Sequence, residues 1–327
     1  MLINAQFGTR PNKVGDSTLH FMKTEKRNRW HAWLSARLKA RATGRWLYLG
    51  LFATGALVAS QIVADAPAAV AAGAPTPYVY HQGFDTCESL TTGDLLAWWQ
   101  STPNWTVGLY LGGEDGAAVG CTGLGSGVWN YALNLGYGVE GFWYGAQMPT
   151  SCGGATGRPA YISLNDSTAT TEGENEAKAA ASAAASYGLP ASAPIYADLE
   201  GFANNSGCLA AAQSFVNGWS YEMNNLTAYA GDLYGSSCSS YLGNMTAHSN
   251  VPRAIAPDDS GVDVTGVYGL QCLADNLWDH NQRVHQTENQ LYHVFNGVGL
   301  YVDEDCADGP LISSVGPPTA TSCGAPY

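Results

Sequence analysis

From residue 81 onward the chain switches repeatedly between two rhythms of apolar and polar positions. Short apolar stretches read as strands: "HQGFDTC" (81–87), "TVGLYLGG" (106–113), "VEGFWYGAQMP" (139–149), "APIYADLEGF" (193–202), "TAYAGDLYG" (227–235), "PRAIAPDD" (252–259), "RVHQTE" (283–288) and "VGLYVDEDC" (298–306). Helix-like segments separate most of them. "TTGDLLAWWQST" (91–102) carries Thr91 and Asp94 at capping-box spacing, and "GSGVWNYALNLGYG" (125–138) has glycine stops. "GENEAKAAASAAASYG" (173–188) and "CLAAAQSFVNGWSYEMNN" (208–225) are strong helix formers, and a short helix is expected over 237–248. Repeated β-α alternation predicts a parallel sheet. Eight such units in about 255 residues predict a single-domain (β/α)8 TIM barrel, an α/β fold. The competing doubly wound nucleotide fold lacks its glycine-rich phosphate motif after the first strand.

The residues before 81 read differently. Residues 1–45 hold 10 of the 14 Lys and Arg, and "WLYLGLFATGALVASQIVA" (46–64) is apolar throughout. With Ala69-Val70-Ala71 following, this describes a signal peptide; left uncut, the run of 46–64 is long enough to anchor the chain in a membrane. The expected division is therefore 1–72 for the export segment and 73–327 for the barrel. The barrel part has 4 basic residues (Arg158, Lys178, Arg253, Arg283) against 24 acidic ones, a formal balance of −20. Such a surface repels phosphate backbones, so no nucleic-acid partner is expected. All 8 cysteines lie in this part. An even count in an exported chain predicts up to four disulfides, with the pairing left open. No C-x-x-C spacing points to zinc. Five N-x-[ST] triplets, at Asn104, Asn165, Asn204, Asn225 and Asn244, matter only in a glycosylating host.

The expected chemistry sits at the strand ends. Asp198 and Glu200 share one face of a strand, about 6.5–7 Å apart. In this reading Asp85 ends strand 1, Asp232 ends strand 5, and Asp258 and Asp259 end strand 6. His285 and Gln286 lie in strand 7, and Asp303 and Asp305 end strand 8. In a TIM barrel these ends form the active-site rim. Crowded carboxyls raise one another's pKa, so one acid stays protonated to donate while another stays charged. Glycoside hydrolysis needs that division of labour. Trp143, Tyr144, Tyr196, Phe202 and Tyr234 are candidates for stacking on sugar rings.

The set "GFDTC", "YADLE", "VHQ" and "GLYVDEDCA" resembles an actinobacterial, secreted glycoside-hydrolase-like TIM-barrel family of unknown function, distantly similar to the Chalaropsis-type lysozymes. The resemblance spans about residues 80–310. It implies an acidic pocket, with cell-envelope polysaccharide, including peptidoglycan, as substrate. It also implies roles: Glu200 as general acid, Asp198 as its partner, and Asp85 as the acid across the mouth. His285, Gln286, Asp303 and Asp305 become substrate contacts; the rim reading of the strand ends adds Asp232, Asp258, Trp143 and Tyr196 to them. Two features depart from the pattern. Thr287 stands where an aromatic usually follows H-Q, and the final motif reads Asp303-Glu304-Asp305.

The expectation is thus a secreted or wall-associated, monomeric glycosidase with no cofactor and no metal. A non-catalytic carbohydrate-binding barrel is the alternative. A metal-dependent deacetylase using Asp85, Asp198 and His285 lacks the histidine pair it needs. A calcium loop at Asp303-x-Asp305-x-x-Asp308 lacks the EF-hand spacing.

Overall fold

The computed structural model describes residues 76–77, 81–259, 265–313 and 323. The basic segment, the apolar run of 46–64 and the expected cleavage near Ala71 lie outside these residues, as does the tail of 316–327 apart from Cys323. Among the described residues, no helix is long and apolar enough to cross a membrane.

Eight strands close into a barrel: β1 (His81–Asp85), β2 (Thr106–Gly112), β3 (Gly138–Trp143), β4 (Pro194–Asp198), β5 (Ala230–Ser236), β6 (Ile255–Asp258), β7 (Arg283–Phe295) and β8 (Val298–Asp308). Strands β1 to β7 run parallel in chain order. The last strand departs from the expected repeat, because β8 is antiparallel to both β7 and β1. The cause is local. Asn296 and Gly297 have φ of 47° and 79°, and the flanking Phe295 and Val298 pair directly. Positive φ at both central residues marks a two-residue type I′ hairpin, which joins only antiparallel neighbours.

Helices cover the early strands: α1 (Thr92–Ser101), a short α2 (Glu114–Val119), α3 (Ser126–Leu135), α4 (Asp166–Tyr187) and α5 (Ser206–Leu226). The α1 capping box forms as expected, Asp94 N donating to Thr91 Oγ1 (3.2 Å) and Thr91 N to Asp94 Oδ2 (2.8 Å). Asn165 and Asn205 cap α4 and α5 by accepting from Thr168 N and Cys208 N. α4 starts earlier than its alanine-rich stretch implies, because that cap lies upstream. It buries a stripe of Ala169, Gly173, Ala177, Ala180 and Ala184. A side chain at Gly173 would come within 2.1 Å of the Phe215 carbonyl, so α4 and α5 meet backbone to backbone. The short helix expected over 237–248 is only a 3₁₀ turn at Leu242–Asn244.

No helix follows β6 among the described residues. Instead, buried Arg283 organises that loop, donating to the carbonyls of Val267 (2.8 Å), Ala274 (2.7 Å) and Leu277 (2.6 Å). Four disulfides form: Cys87–Cys121, Cys152–Cys208, Cys238–Cys272 and Cys306–Cys323. The first three join the segment after β1 to that after β2, the segment after β3 to that after β4, and the segment after β5 to that after β6, all at the barrel's C-terminal face. Such cross-links restrict the unfolded chain and hold those loops in place.

Alternation along each strand divides the side chains between two cores. Leu109, Val139, Ile195 and Leu233 face the helices. Tyr110, Phe142, Tyr196, Ala256, Val284 and Ala307 fill the barrel.

Candidate active site

The same alternation sets the site. On β4, Tyr196 faces inward, so Asp198 does too. Asp198 is buried, and its Oδ2 accepts from the Tyr110 hydroxyl at 3.2 Å. Burial, and then the neighbouring Glu200 charge, push its pKa well up. Glu200, just past the strand, is exposed at the mouth. Its Oε1 accepts from the Tyr144 hydroxyl (3.2 Å), which in turn accepts from Arg158 Nη2 (2.7 Å). The Arg158 guanidinium lies 5.0 Å from the Tyr144 ring centre, and its Nε is 3.8 Å from Asp115 Oδ2. Gln147 braces the segment between the two acids: its Nε2 donates to the Asp198 carbonyl (2.6 Å) and its Oε1 accepts from Glu200 N (2.9 Å).

Across the barrel, Asp85 sits opposite Asp303 in the β1–β8 pairing. Opposed residues on antiparallel strands lie about 5 Å apart at Cα, so their carboxyls crowd one another. Burial and then the Asp303 charge hold the Asp85 pKa well above normal. Asp303 is pushed up to about 7, chiefly by burial. Asp85 Oδ2 accepts from Gln286 Nε2 (2.8 Å), and Gln286 Oε1 accepts from the Tyr234 hydroxyl (2.7 Å). Asp303 Oδ1 accepts from Gln290 N (2.5 Å), an amide on a residue held at φ 55°. A positive φ on a non-glycine residue stores strain, here spent on aiming a donor at the acid. Asp258 ends β6, and its charge raises Asp198 and Asp303.

The structure thus brings Asp85, Asp198, Glu200, Asp258, Gln286 and Asp303 to one mouth. Asp303 and Asp305 do not end β8, which runs on to Asp308. Asp305 faces inward one level deeper, opposite Gly83. Tyr196 is wholly buried and fills the barrel below Asp198. Asp232 does not end β5 either. It lies mid-strand and accepts from Ala254 N (2.8 Å), tying the strands together. Two residues expected in the pocket face out of the barrel. Trp143 points to α4, where its Nε1 donates to Glu176. His285 lies between two residues that face other ways: Gln286 faces inward, while His285 Nδ1 donates to the Gly266 carbonyl at 2.7 Å. Burial lowers the His285 pKa to about 4, so it is neutral at pH 7 and holds the loop after β6. Asp259 is buried against the Ser237 hydroxyl rather than open at the rim.

Several site residues escape a reading that looks only at strand ends. Tyr110, Gln147 and Arg158 reach the acids from the second strand and from a loop. Glu140 lies on the inward face of β3, fully buried. Burial pushes its pKa to about 8; the Thr106 hydroxyl beside it, outside hydrogen-bond geometry, moderates the rise. Its charge bears on both Asp85 and Asp305. The interior is therefore a column of carboxyls, Glu140 and Asp305 below and Asp85 and Asp303 above. Buried carboxyls without cations hold protons in preference to charge. No group of three or more metal-ligating side chains with metal-site geometry occurs among the described residues.

The family model described as "Rv2525c-like, glycoside hydrolase-like domain" matches residues 97–307. That range runs from α1 to β8 and leaves Asp85 upstream. No curated protein matches the sequence. Among solved structures, an uncharacterised B. stearothermophilus protein is 16% identical, with a TM-score of 0.47 over 70% of this chain and 99% of that one. The Mycobacterium tuberculosis Tat-secreted protein Rv2525c, solved with L-tartrate, is 12% identical, with a TM-score of 0.44 over 69% and 94%. The modular autolysin LytC from Streptococcus pneumoniae is 16% identical, with a TM-score of 0.43 over 69% of this chain and 46% of that one. Likenesses this distant assign no residue here.

Proposed function

The chain belongs to the Rv2525c-like glycoside hydrolase-like family, and from that premise we propose that it is an exported glycoside hydrolase acting on cell-envelope polysaccharide, with peptidoglycan as the first candidate. The observation that carries the reading is the pairing of an exposed Glu200 with buried, proton-holding carboxyls at one mouth.

In this proposal Glu200 protonates the leaving glycosidic oxygen. It is the acid that solvent and substrate reach, and Tyr144 fixes one of its oxygens. Asp198 lies behind it on the same strand face; the two acids share one proton, and with that proton on Glu200 the Asp198 carboxylate stabilises the positive charge that develops on the sugar ring. Asp85 and Asp303 serve the opposite side of the mouth. Two carboxyls this close share a proton, which leaves one able to accept from water or from a sugar hydroxyl. Gln286 and Asp258 contact substrate hydroxyls. The export reading draws on the basic segment with its apolar run, and on four disulfides, which persist in oxidising compartments. Residues 73–327 then constitute the exported domain, acting as a monomer at or beyond the cell wall.

The test is digestion of purified bacterial cell wall by the disulfide-intact protein, with products read by mass spectrometry and Glu200→Gln run alongside. New reducing ends from wild type alone support the proposal and name the linkage. Retained binding to wall without products from either protein refutes hydrolysis in favour of a carbohydrate-binding barrel. Equal release by both removes Glu200 from its role.

A further inference from the structure

The hairpin that reverses the chain between β7 and β8 extends past the barrel ring. β8 last pairs with β1 at Asp303, yet β7 and β8 stay paired from Leu291–Val302 to Phe295–Val298. β7 leaves the ring at its mouth end, so this hairpin stands above the mouth. Leu300 and Val302 lie on its outer face, buried in the cluster that holds Trp98, with Phe295 packed against it. Alternation then puts Tyr301 on the inner face, in line with Asp303 and Asp305. Its partner across the hairpin is Tyr292, and the next inner pair is Val294 with Gly299.

These inner positions are uncharged, in contrast to the acids directly below them. The Tyr292 and Tyr301 rings lie 4.9 Å apart, inclined at 46°. They are 57% and 47% exposed. A side chain at Gly299 would come within 2.1 Å of the Tyr292 hydroxyl. The bare backbone at Gly299 therefore leaves room for the Tyr292 ring to reach across the hairpin while staying largely exposed. Tyr301 is two residues from Asp303, about 7 Å along the strand, which is the length scale of a sugar ring.

We infer that Tyr292 and Tyr301 form a sugar-binding subsite that stacks a pyranose ring of the glycan chain whose neighbouring linkage lies over the acid mouth. This rests on the glycosidase reading above. A pyranose presents C–H faces and hydroxyl edges, and a tyrosine offers a flat apolar ring with a polar tip to match. Cross-strand aromatic pairs also stabilise hairpins. That role alone predicts lower stability but no dependence of affinity on glycan length.

The experiment titrates the Glu200→Gln protein with short and long glycan strands cut from purified bacterial wall, while wild type is assayed for wall digestion. Long strands are expected to bind about 10-fold more tightly than short ones, a factor worth ~1.4 kcal/mol. Tyr292→Thr and Tyr301→Thr, which keep strand propensity while removing the ring, bring long strands to the short-strand affinity and leave short strands unchanged. Tyr292→Phe and Tyr301→Phe retain the preference. Melting curves check that each variant is folded. Equal loss for both lengths, or no loss with either threonine variant, overturns the subsite while wild-type digestion leaves the glycosidase reading standing. No digestion and no strand binding overturns both.

Discussion

Replacing Glu140 by glutamine isolates the proton stored inside the barrel. The Glu140 pKa stands at about 8 in the folded protein, against an ordinary value of 4.5. Between those two pH values the folded protein holds a proton that the unfolded chain has lost. Stability is therefore highest at and below the ordinary value and falls as pH rises towards 8, levelling off above it. One pKa unit corresponds to about 1.4 kcal/mol, so the span from 4.5 to about 8 is worth roughly 3–5 kcal/mol for this group. In a domain this size, that moves the melting temperature by on the order of 10 °C. Glutamine keeps the shape and cannot ionise. It adds a constant offset from its own imperfect hydrogen bonding, so the slope with pH is the readout and the absolute stability is not.

The assay is thermal and urea unfolding of wild type and Glu140→Gln from pH 4.5 to 9 with the disulfides intact. Wild type is expected to lose stability steadily towards pH 8, and the variant to lose about that much less. The remaining slope of the variant belongs to the other carboxyls that burial raises, Asp85, Asp198, Asp303, Asp305 and Asp232 among them, opposed at the acid end by buried His81 and His285, both lowered to about 4. Parallel curves for the two proteins would show that Glu140 is not holding its proton and would refute the reasoning. A wild-type stability that rises with pH over this window would refute it as well.

Two further substitutions probe the mouth itself. Gln147→Ala strips a partner from both the Asp198 carbonyl and the Glu200 amide; unfolding stability is expected to fall by about 2–4 kcal/mol, read by urea titration, and a change below about 0.5 kcal/mol would contradict the bracing role. Arg158→Met removes the donor that fixes Tyr144 against Glu200. Turnover of wall fragments is expected to fall by about 10- to 100-fold, as when reacting groups are misplaced. Arg158→Lys should recover only part of it, because an ammonium cannot both stack on the Tyr144 ring and hold its hydroxyl as the guanidinium does. An unchanged pH profile and rate in Arg158→Met would remove Arg158 from the site.

Much of the barrel is legible in the chain because six strands are separated by helices or loops whose periodicity differs from their own. The last turn is legible too, but through a different signal: Asn296-Gly297 between apolar runs marks a hairpin, and β-α counting passes over it. The D-x-E pair is legible from spacing alone, since period two places Asp198 and Glu200 together. The same rule rejects two other candidates. His285 and Gln286 are adjacent, so only one can face the pocket, and Trp143 is adjacent to inward-facing Phe142. Sequence cannot say which parity is inward until one register is known. Glu140 shares the parity of Phe142 and Tyr144, and it is missed only because it starts its strand instead of ending it. Gln147 and Arg158 come from a loop with no period to read, and only tertiary placement reveals them.

The reversed strand decides which acid faces Asp85 at the mouth. A parallel eighth strand ending at Asp305 would put Asp305 at the rim and Asp303 one level below it, with no hairpin above. The antiparallel strand instead enters the ring from above the mouth, so Asp303 falls opposite Asp85 and Asp305 falls opposite Gly83. The Asp303 charge then raises Asp85, and one proton is held where a substrate would lie. The same reversal leaves the hairpin standing above the rim, with its inner face continuing the line of the acids. The register that crowds the two carboxyls and the two tyrosines above them follow from a single two-residue turn. Lengthening the loop at Asn296-Gly297 should disturb acid pairing and glycan-length preference together, whereas substitution of either tyrosine should disturb only the second.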